Sequence, residues 1–444
     1  MNTGRYHIIT YGCQMNESDS ERLAGQLEKL DYRSCETLEN ADVIIINTCC
    51  VRESAENKVY GKIGELKHLK QRNPQLLIGI TGCMAQKNKQ DLFTRAPHID
   101  FVLGPYNIHH LEELIRGGDA LASHTMMTDM RGAQIEDFTE IEAKRKSNVF
   151  AWVPIMQGCN KFCTYCIVPY VRGREWSRPI DSIVREVEEL AQQGYKEITL
   201  LGQNVNAYGL DFQDGTDFSD LLRAVNEVDG IARIRYMTSH PRDMSRDMID
   251  TIAACEKVCT QMHLPIQSGS DEILRRMNRG YTLAHYRDLL QYIRQVLPNA
   301  VLTTDLIVGF PGETEEMHRE TLAMLEEFRY DMAYTFLFSK RSGTPAAAMQ
   351  GQVDEEVKKR RLQELMAVQN EISLQLNEEM VGRNWEVLVE GPTKNNPENW
   401  YGRTSGNKMI IFPYEEGIKI GDLLQVQAEK AQTWLLRGRP VERK

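Results

Sequence analysis

Through the first 120 residues, short apolar runs alternate with longer stretches of helical period. YHIIT, DVIIIN, LLIGIT and IDFVL read as four strands, and SDSERLAGQLEKL and ESAENKVYGKIGELKHL as helices between them, the first opened by Ser18 as an N-cap. That succession predicts an open parallel α/β sheet over residues 4–120. Residues 121–146, rich in Thr, Met and mixed charge, show no sustained period and read as a linker or an excursion. Six further strand-like runs follow, AWVPIMQ, EITLLGQ, IARIRYMTS, QMHLPIQ, AVLTTDLIVGF and AYTFLFS, separated by helical repeats such as IDSIVREVEELAQQG and ETEEMHRETLAMLEEF. Six β/α units over residues 147–377 predict an incomplete (β/α)6 parallel barrel, whose chemistry belongs at the carboxyl ends of its strands. Over residues 378–441 the short alternating runs WEVLVEG, WYGRTSG, KMIIFP and DLLQVQAEKAQTWLLRG predict a small all-β barrel. The fold class expected is therefore α/β, with a separate β-barrel module at the end.

Composition narrows this picture. At 444 residues the chain has room for roughly three domains. Hydrophobic residues at 41% and charged residues at 26% are those of a soluble enzyme, and no run nears the ~18 uninterrupted apolar residues of a membrane span. The opening MNTGRYHIITYGC lacks the basic, apolar and small-residue succession of a secretory signal. The expectation is a cytoplasmic protein with no membrane partner and with reduced thiols. The formal charge of -10 argues against wholesale attraction to nucleic acid but leaves room for local patches. From Glu378 onward ten Lys and Arg balance ten Asp and Glu, and the chain ends in the basic RGRPVERK.

Ten cysteines at patterned spacing then read as metal ligands or redox groups before they read as disulfides. Cys13, Cys49 and Cys83 each follow one of the first three strands. In a parallel sheet those positions share the carboxyl edge, where open α/β folds bind ligands. Cys50 adjoins Cys49 and competes for the same role. Cys159, Cys163 and Cys166 crowd into MQGCNKFCTYCIVPY at the spacing Cys-x3-Cys-x2-Cys, after the first strand of the barrel. A structural zinc site wants four ligands, and no fourth cysteine or well-spaced histidine completes one. Three thiolates suit a [4Fe–4S] cube with one iron left open to a small molecule. Phe162, Tyr165 and Ile167 would shield it and help set its potential. Cys35 reads as incidental, Cys255 and Cys259 as core positions one helical turn apart, and His109–His110 as capping or surface residues at the start of a helix.

This loop, with an aromatic before its last cysteine, resembles the radical S-adenosylmethionine superfamily. The stretches TYGCQMNESDSE, NTCCVRESAENK, GITGCMAQ, GCNKFCTYCIVPYVRGREWSRP, LLGQNVNAYG, HLPIQSGSDEILRRMNRGYT and DLIVGFPGETEE extend the likeness over nearly the whole chain, and together resemble tRNA methylthiotransferases of the MiaB type. The resemblance implies addition of a methylthio group to C2 of the adenine in N6-dimethylallyl(isopentenyl)adenosine next to the anticodon of tRNA. It implies two [4Fe–4S] clusters: a radical one on Cys159, Cys163 and Cys166, and an auxiliary, sulfur-donating one on Cys13, Cys49 and Cys83 that can carry an extra sulfide. S-adenosylmethionine would serve as both methyl donor and radical source, and the final barrel resembles a TRAM RNA-binding domain. An aromatic C–H is beyond an ordinary side-chain base, which is why radical chemistry is needed. For S-adenosylmethionine the candidates are Gly202, Gln203 and Asn204 after the second barrel strand, Gln267 and Ser268 after the fourth, and backbone around Val308, Gly309 and Gly312 after the fifth. For RNA they are Arg172, Arg174 and Arg178 past the cluster loop and Arg437 and Arg439 in the last barrel, since a guanidinium pairs with phosphate and stacks on bases. Expected partners are the isopentenylated anticodon stem-loop, an electron donor such as flavodoxin or ferredoxin, and iron–sulfur carrier proteins. Sister branches modify a ribosomal-protein aspartate or threonylcarbamoyl-adenosine in tRNA; CQMN and NTCCVRE resemble the isopentenyl-adenosine branch. A non-catalytic iron–sulfur RNA-binding protein would need neither the barrel-face loops nor an open iron.

Overall fold

Strands β1 (Arg5–Thr10), β2 (Arg33–Ser34), β3 (Val43–Thr48), β4 (Leu77–Gly82), β5 (Phe101–Leu103) and β6 (Thr125–Met127) form one parallel sheet in the order β2-β1-β3-β4-β5-β6. The computed structural model describes residues 4–49, 53–117, 124–130 and 141–443, the side chains of 53–57, 442 and 443 excepted. Both faces of β3 are covered, which explains its unbroken apolar run. Val43 and Ile45 pack with Leu23, Leu27, Phe101 and Leu103 on one face, while Ile44 and Ile46 pack with Ile63, Leu66, Ile78 and Ile80 on the other. Burying one such side chain contributes about 1.5–3 kcal/mol.

Part of the expected linker is built into the sheet. Within 121–146, Thr125–Met127 is the sixth strand, paired in register with β5 and too short to show a period. Farther on, Lys144 N donates to the Glu21 carbonyl at 2.8 Å and Arg145 pairs with the Glu21 carboxylate at 3.1 Å, laying the segment along the helix Gln14–Lys29.

The chain divides into two compact units. One contains the residues up to Ser147 together with Met156–Phe162 and Cys166–Arg178; the other contains Asn148–Ile155, Cys163–Tyr165 and everything from Pro179 on. In the first unit, β8 (Met156–Gln157) pairs antiparallel with β9 (Trp176–Ser177). In the second, β7 (Phe150–Pro154), β10 (Glu197–Leu201) and β11 (Arg233–Tyr236) form a parallel sheet, as do β12 (Gln261–His263), β13 (Val301–Val308) and β14 (Met332–Leu337). Ile234 joins the two sheets by donating to the Lys257 carbonyl at 2.7 Å and accepting from Cys259 N at 2.8 Å. The result is the incomplete six-stranded barrel that the pattern predicts. Cys255 and Cys259 are buried as expected but not on a helical turn, because the helix Arg246–Ala254 ends before them.

The helix Glu355–Glu378 leads to β15 (Asn384–Pro392), β16 (Asn399–Thr404), β17 (Met409–Pro413), β18 (Leu423–Ala431) and β19 (Leu436–Arg443), a closed barrel ordered β15-β16-β17-β19-β18. Val387, Val389, Ile410, Phe412, Leu424 and Val426 fill it. Its β16–β17 turn docks at the amino ends of the core strands. The buried Arg235 guanidinium donates to the Thr404 and Ser405 carbonyls, both at 2.8 Å, and pairs with Glu197 at 2.9 Å, while Lys408 pairs with Asp331 at 2.9 Å. Removing one partner of such a buried pair strands the other charge, at a cost of about 3–5 kcal/mol.

Candidate functional site

The sheet order reverses between β1 and β3, and the crevice at such a switch point is where open α/β sheets bind ligands. Cys13, Cys49 and Cys83 follow β1, β3 and β4, three adjacent strands. Cys13 caps the helix Gln14–Lys29, with its N–H bonded to Asn16 Oδ1 at 3.3 Å. Asn16 Nδ2 donates to Asn47 Oδ1 at 2.9 Å and to the Thr48 carbonyl, and Asn47 Nδ2 returns a 2.8 Å bond to the Asn16 carbonyl. The Thr48 hydroxyl donates to the Thr81 carbonyl, so the three cysteine-bearing strand ends are bonded in series. At Gly82, φ is +90° and a Cβ would stand 2.3 Å from the Thr48 carbonyl oxygen, so only glycine lets Cys83 start its helix there. Cys50 lies outside the described residues.

The stretch past the cysteine triplet belongs to this same unit. Ile167 and Val171 pack in the core that holds Cys83 and Met84. Arg172, expected at the RNA, is only 2% exposed: Nη2 donates to Asp19 Oδ2 at 2.8 Å and Nε to Cys83 Sγ at 3.4 Å. Burial opposes its charge, yet Cys83, Asp19 and Cys13 outweigh that and hold its pKa well above the ordinary arginine value. Crowding by protein raises the Cys13 thiol, which still reaches solvent, and the Arg172 guanidinium draws it back. Arg178, 3% exposed, is likewise too deep to meet a phosphate. Of the three arginines only Arg174 is exposed, its guanidinium 4.7 Å above the Phe162 ring.

Around the triplet, Gly158 has φ +79° and a Cβ would come 1.9 Å from the Arg174 carbonyl oxygen, which leaves glycine alone able to precede Cys159. Cys159 N donates to the Gly173 carbonyl at 3.2 Å. In the second unit, Thr164 is held by the Met277 and Arg276 carbonyls, and Tyr165 packs beside Ile273, Met277 and Phe310. Arg279 is buried there, with Nη1 donating to Cys163 Sγ and the Tyr165 hydroxyl, each at 3.3 Å, and Nη2 to the Pro265 carbonyl. Burial works against its charge, but Tyr165, Tyr281 and Cys163 keep its pKa well above the usual value. Among the described residues no three His, Cys, Asp or Glu stand close enough to share one metal ion. A cube asks for something else, since each thiolate binds its own iron.

The residues expected to hold S-adenosylmethionine do gather at the carboxyl ends of β10, β12 and β13. Gly202 and Gln203 are half-buried; Asn204 is buried and donates to Asp243 at 2.8 Å, while its Oδ1 is buried without a hydrogen-bond partner among the described residues. Gln267 adopts φ +77°, a strained conformation for a residue with a side chain, while bridging to β13. The remaining candidates are engaged by the protein itself. The Ser268 hydroxyl is buried against Thr321 and Ser270 N; Gly309 N donates to Glu313, Gly312 N to the Gly351 carbonyl, and the Val308 carbonyl accepts from Phe338 N. These groups tie the loop together instead of facing a ligand. Arg437 and Arg439 are exposed on β19, Arg439 paired with Glu429 at 3.1 Å, and Trp434 is exposed in the preceding turn. His109 and His110 lie in a 3-10 turn just before the helix Leu111–Arg116. Sequence reasoning misses Arg279 and Asp19. The first sits in NRGYT, where an arginine after a helix reads as solvated. The second sits in ESDSE, an acidic-looking run whose small polar residues are in fact buried; a helix without an apolar stripe is the signal that could have revealed it.

Residues 5–104 match a family described as "Uncharacterized protein family UPF0004", residues 153–325 the Radical SAM superfamily, and residues 378–441 the TRAM domain. The fold agrees with solved radical S-adenosylmethionine proteins: the methyltransferase TsrM from Kitasatospora setae aligns with a TM-score of 0.56 at 14% identity over 78% of this chain and 74% of that one. The cobalamin-dependent radical enzyme OxsB aligns at 0.51 and 14% over 83% and 56%. The chain thus carries a radical S-adenosylmethionine domain followed by a TRAM domain. Curated relatives from Acetivibrio thermocellus (50% identical, 98% of this chain and 90% of the relative) and Moorella thermoacetica (49%, 98% and 98%) are both named tRNA-2-methylthio-N(6)-dimethylallyladenosine synthase. The chain belongs to that family.

Proposed function

We propose that this chain adds a methylthio group to C2 of the adenine in N6-dimethylallyladenosine of tRNA. The observation that carries the reading is the presence of two separate cysteine triads, each with a buried arginine donating to one of its sulfurs, in a chain about 50% identical to synthases of that name. The donor sets suit iron–sulfur cubes: soft thiolates, three in each set, with cations to offset the negative charge of a thiolate-held cluster. When bound, the cluster at Cys159, Cys163 and Cys166 would supply a carbon radical from S-adenosylmethionine, and the one at Cys13, Cys49 and Cys83 the sulfur. The chain's own part is binding and exclusion. Tyr165, with Ile273 and Phe310 behind it, keeps water from Cys163, and Arg279 fixes that thiolate's direction. Asn204 and Gln267 present polar groups at the strand ends, Asn204 for the methionyl amino group of S-adenosylmethionine and Gln267 for its ribose or carboxylate.

For RNA, the exposed Arg437 and Arg439 with Trp434 offer charge and a stacking face, and Arg174 offers a second basic point. Arg437→Ala with Arg439→Ala should weaken stem-loop binding and flatten its salt dependence, by about 0.9 in log–log slope for each phosphate that is no longer neutralised. Cleavage of S-adenosylmethionine without RNA should not change. An identical salt titration would remove these residues from the interface. An electron donor such as flavodoxin or ferredoxin, iron–sulfur carrier proteins and a cytoplasmic setting complete the proposal. No helix among the described residues is long and apolar enough to cross a membrane.

The test is anaerobic reconstitution followed by reaction with S-adenosylmethionine and isopentenylated anticodon stem-loop RNA, read by mass. About eight irons per chain and a methylthiolated RNA are expected. About four irons, or product on a threonylcarbamoyl-adenosine stem-loop or a ribosomal protein instead, would overturn the assignment.

A further inference from the structure

The buried pair Arg172–Asp19 meets at 2.8 Å through one nitrogen and one oxygen. Asp19 is 1% exposed and Arg172 2%, and two of their polar atoms, Arg172 Nη1 and Asp19 Oδ1, are buried without a hydrogen-bond partner among the described residues. A guanidinium N–H left unmet in the interior is costly and calls for an explanation. The surroundings supply one. Nε of the same guanidinium already donates to Cys83 Sγ at 3.4 Å. Asp19 holds the fork from the other side through Nη2, so its rotation is fixed. Tyr106 donates to the Arg172 carbonyl and pins the backbone that carries it.

We propose that Arg172 is a positioning residue of the auxiliary site, its unspent Nη1–H being the donor to sulfur held at Cys13, Cys49 and Cys83. This rests on the reading of those cysteines as cluster ligands. An anionic sulfur species is the ligand class that fits: a soft anion beside thiolates, met by a planar cation with one N–H already on a thiolate. A cation and an N–H···S bond both favour the more negative, reduced form of a cluster and raise its potential. Arg172 lies six residues past Cys166 in the chain, so the segment that supplies a ligand of one triad also supplies the cation of the other.

The experiment uses the full-length protein with Cys159, Cys163 and Cys166 replaced by alanine, so that only the first triad can take up iron. It is reconstituted anaerobically and compared with the same protein carrying Arg172→Met or Arg172→Lys. Iron, sulfide and the midpoint potential are measured, with circular dichroism as the check of folding. The parent should hold about four irons. R172M should shift its midpoint to more negative potential, and R172K should fall between, because it keeps the charge without the fork. In the protein with all six cysteines, R172M should still make 5′-deoxyadenosine while RNA methylthiolation falls about 10–100-fold. A midpoint and sulfide content equal to the parent's would overturn the proposal. Should R172M fail to fold, R172K decides alone: an unshifted midpoint overturns it. A parent that takes up no iron would fail the cluster reading itself, and the inference with it.

Discussion

Cys163→Ala should reduce cleavage of S-adenosylmethionine to background and with it all RNA modification. Cys163 is buried, its sulfur receives Arg279 Nη1 at 3.3 Å, and its neighbour Thr164 is anchored on both sides, by N–H to the Met277 carbonyl and by its own carbonyl to Ala346 N. The thiol's position is thus set by the fold before any cluster arrives. Alanine cannot replace it as a ligand, and a triad reduced to two thiolates has no spare cysteine nearby in the sequence. The fold should persist, with a loss on the order of 1 kcal/mol, because Arg279 keeps its bonds to Tyr165, Tyr281 and the Pro265 carbonyl. Measurement of 5′-deoxyadenosine under reductant, alongside a thermal melt, separates the two effects. Cleavage at even a tenth of the wild-type rate by a folded variant would mean the triplet is not the radical site.

Cys13→Ala should do something different: it should leave 5′-deoxyadenosine production in place and remove thiolated RNA. Cys13 belongs to the other triad, at the end of β1, and still reaches solvent. The bond from its backbone N–H to Asn16 Oδ1 does not depend on the side chain, so the helix start survives the substitution. The network of Asn16, Asn47 and Thr48 that aligns the strand ends also stays intact. Iron per chain should fall by about half, and mass analysis of the stem-loop should show no methylthio product. If the variant still thiolates RNA, Cys13 is not a ligand; if it loses both activities while folded, the two triads do not divide the labour.

The sequence shows where the cysteines stand in the fold more clearly than where the arginines do. Each cysteine of the two triads ends a strand or sits in a short spaced run, and the period-2 and period-3.6 patterns locate strand ends directly. Charged residues have no such marker. Arg172, Arg174 and Arg178 fall in one short run and look alike, yet two are buried and one is exposed. What sets Arg172 apart is a partner 153 residues away in the chain, Asp19, which no local pattern can announce. The strand inside the expected linker is hidden for a related reason: three residues, Thr125–Met127, pair only because β5 offers its open edge. In the cofactor loops, Gly309 and Gly312 suggest backbone open to a ligand. Their N–H groups are instead taken by Glu313 and by Gly351, a residue far along the chain.

The order of elements, the strand-end positions of the cysteines and, through extended likeness, the family are legible along the chain alone. These follow from local hydrophobic period and from covalent spacing, both written along the chain. Folding alone makes β1, β3 and β4 neighbours, bonds Arg172 to Cys83 and Arg279 to Cys163, and docks the terminal barrel through its β16–β17 turn. Those interactions join residues distant in sequence through burial and hydrogen bonding, and their energies exist only once the chain has brought the groups out of water together.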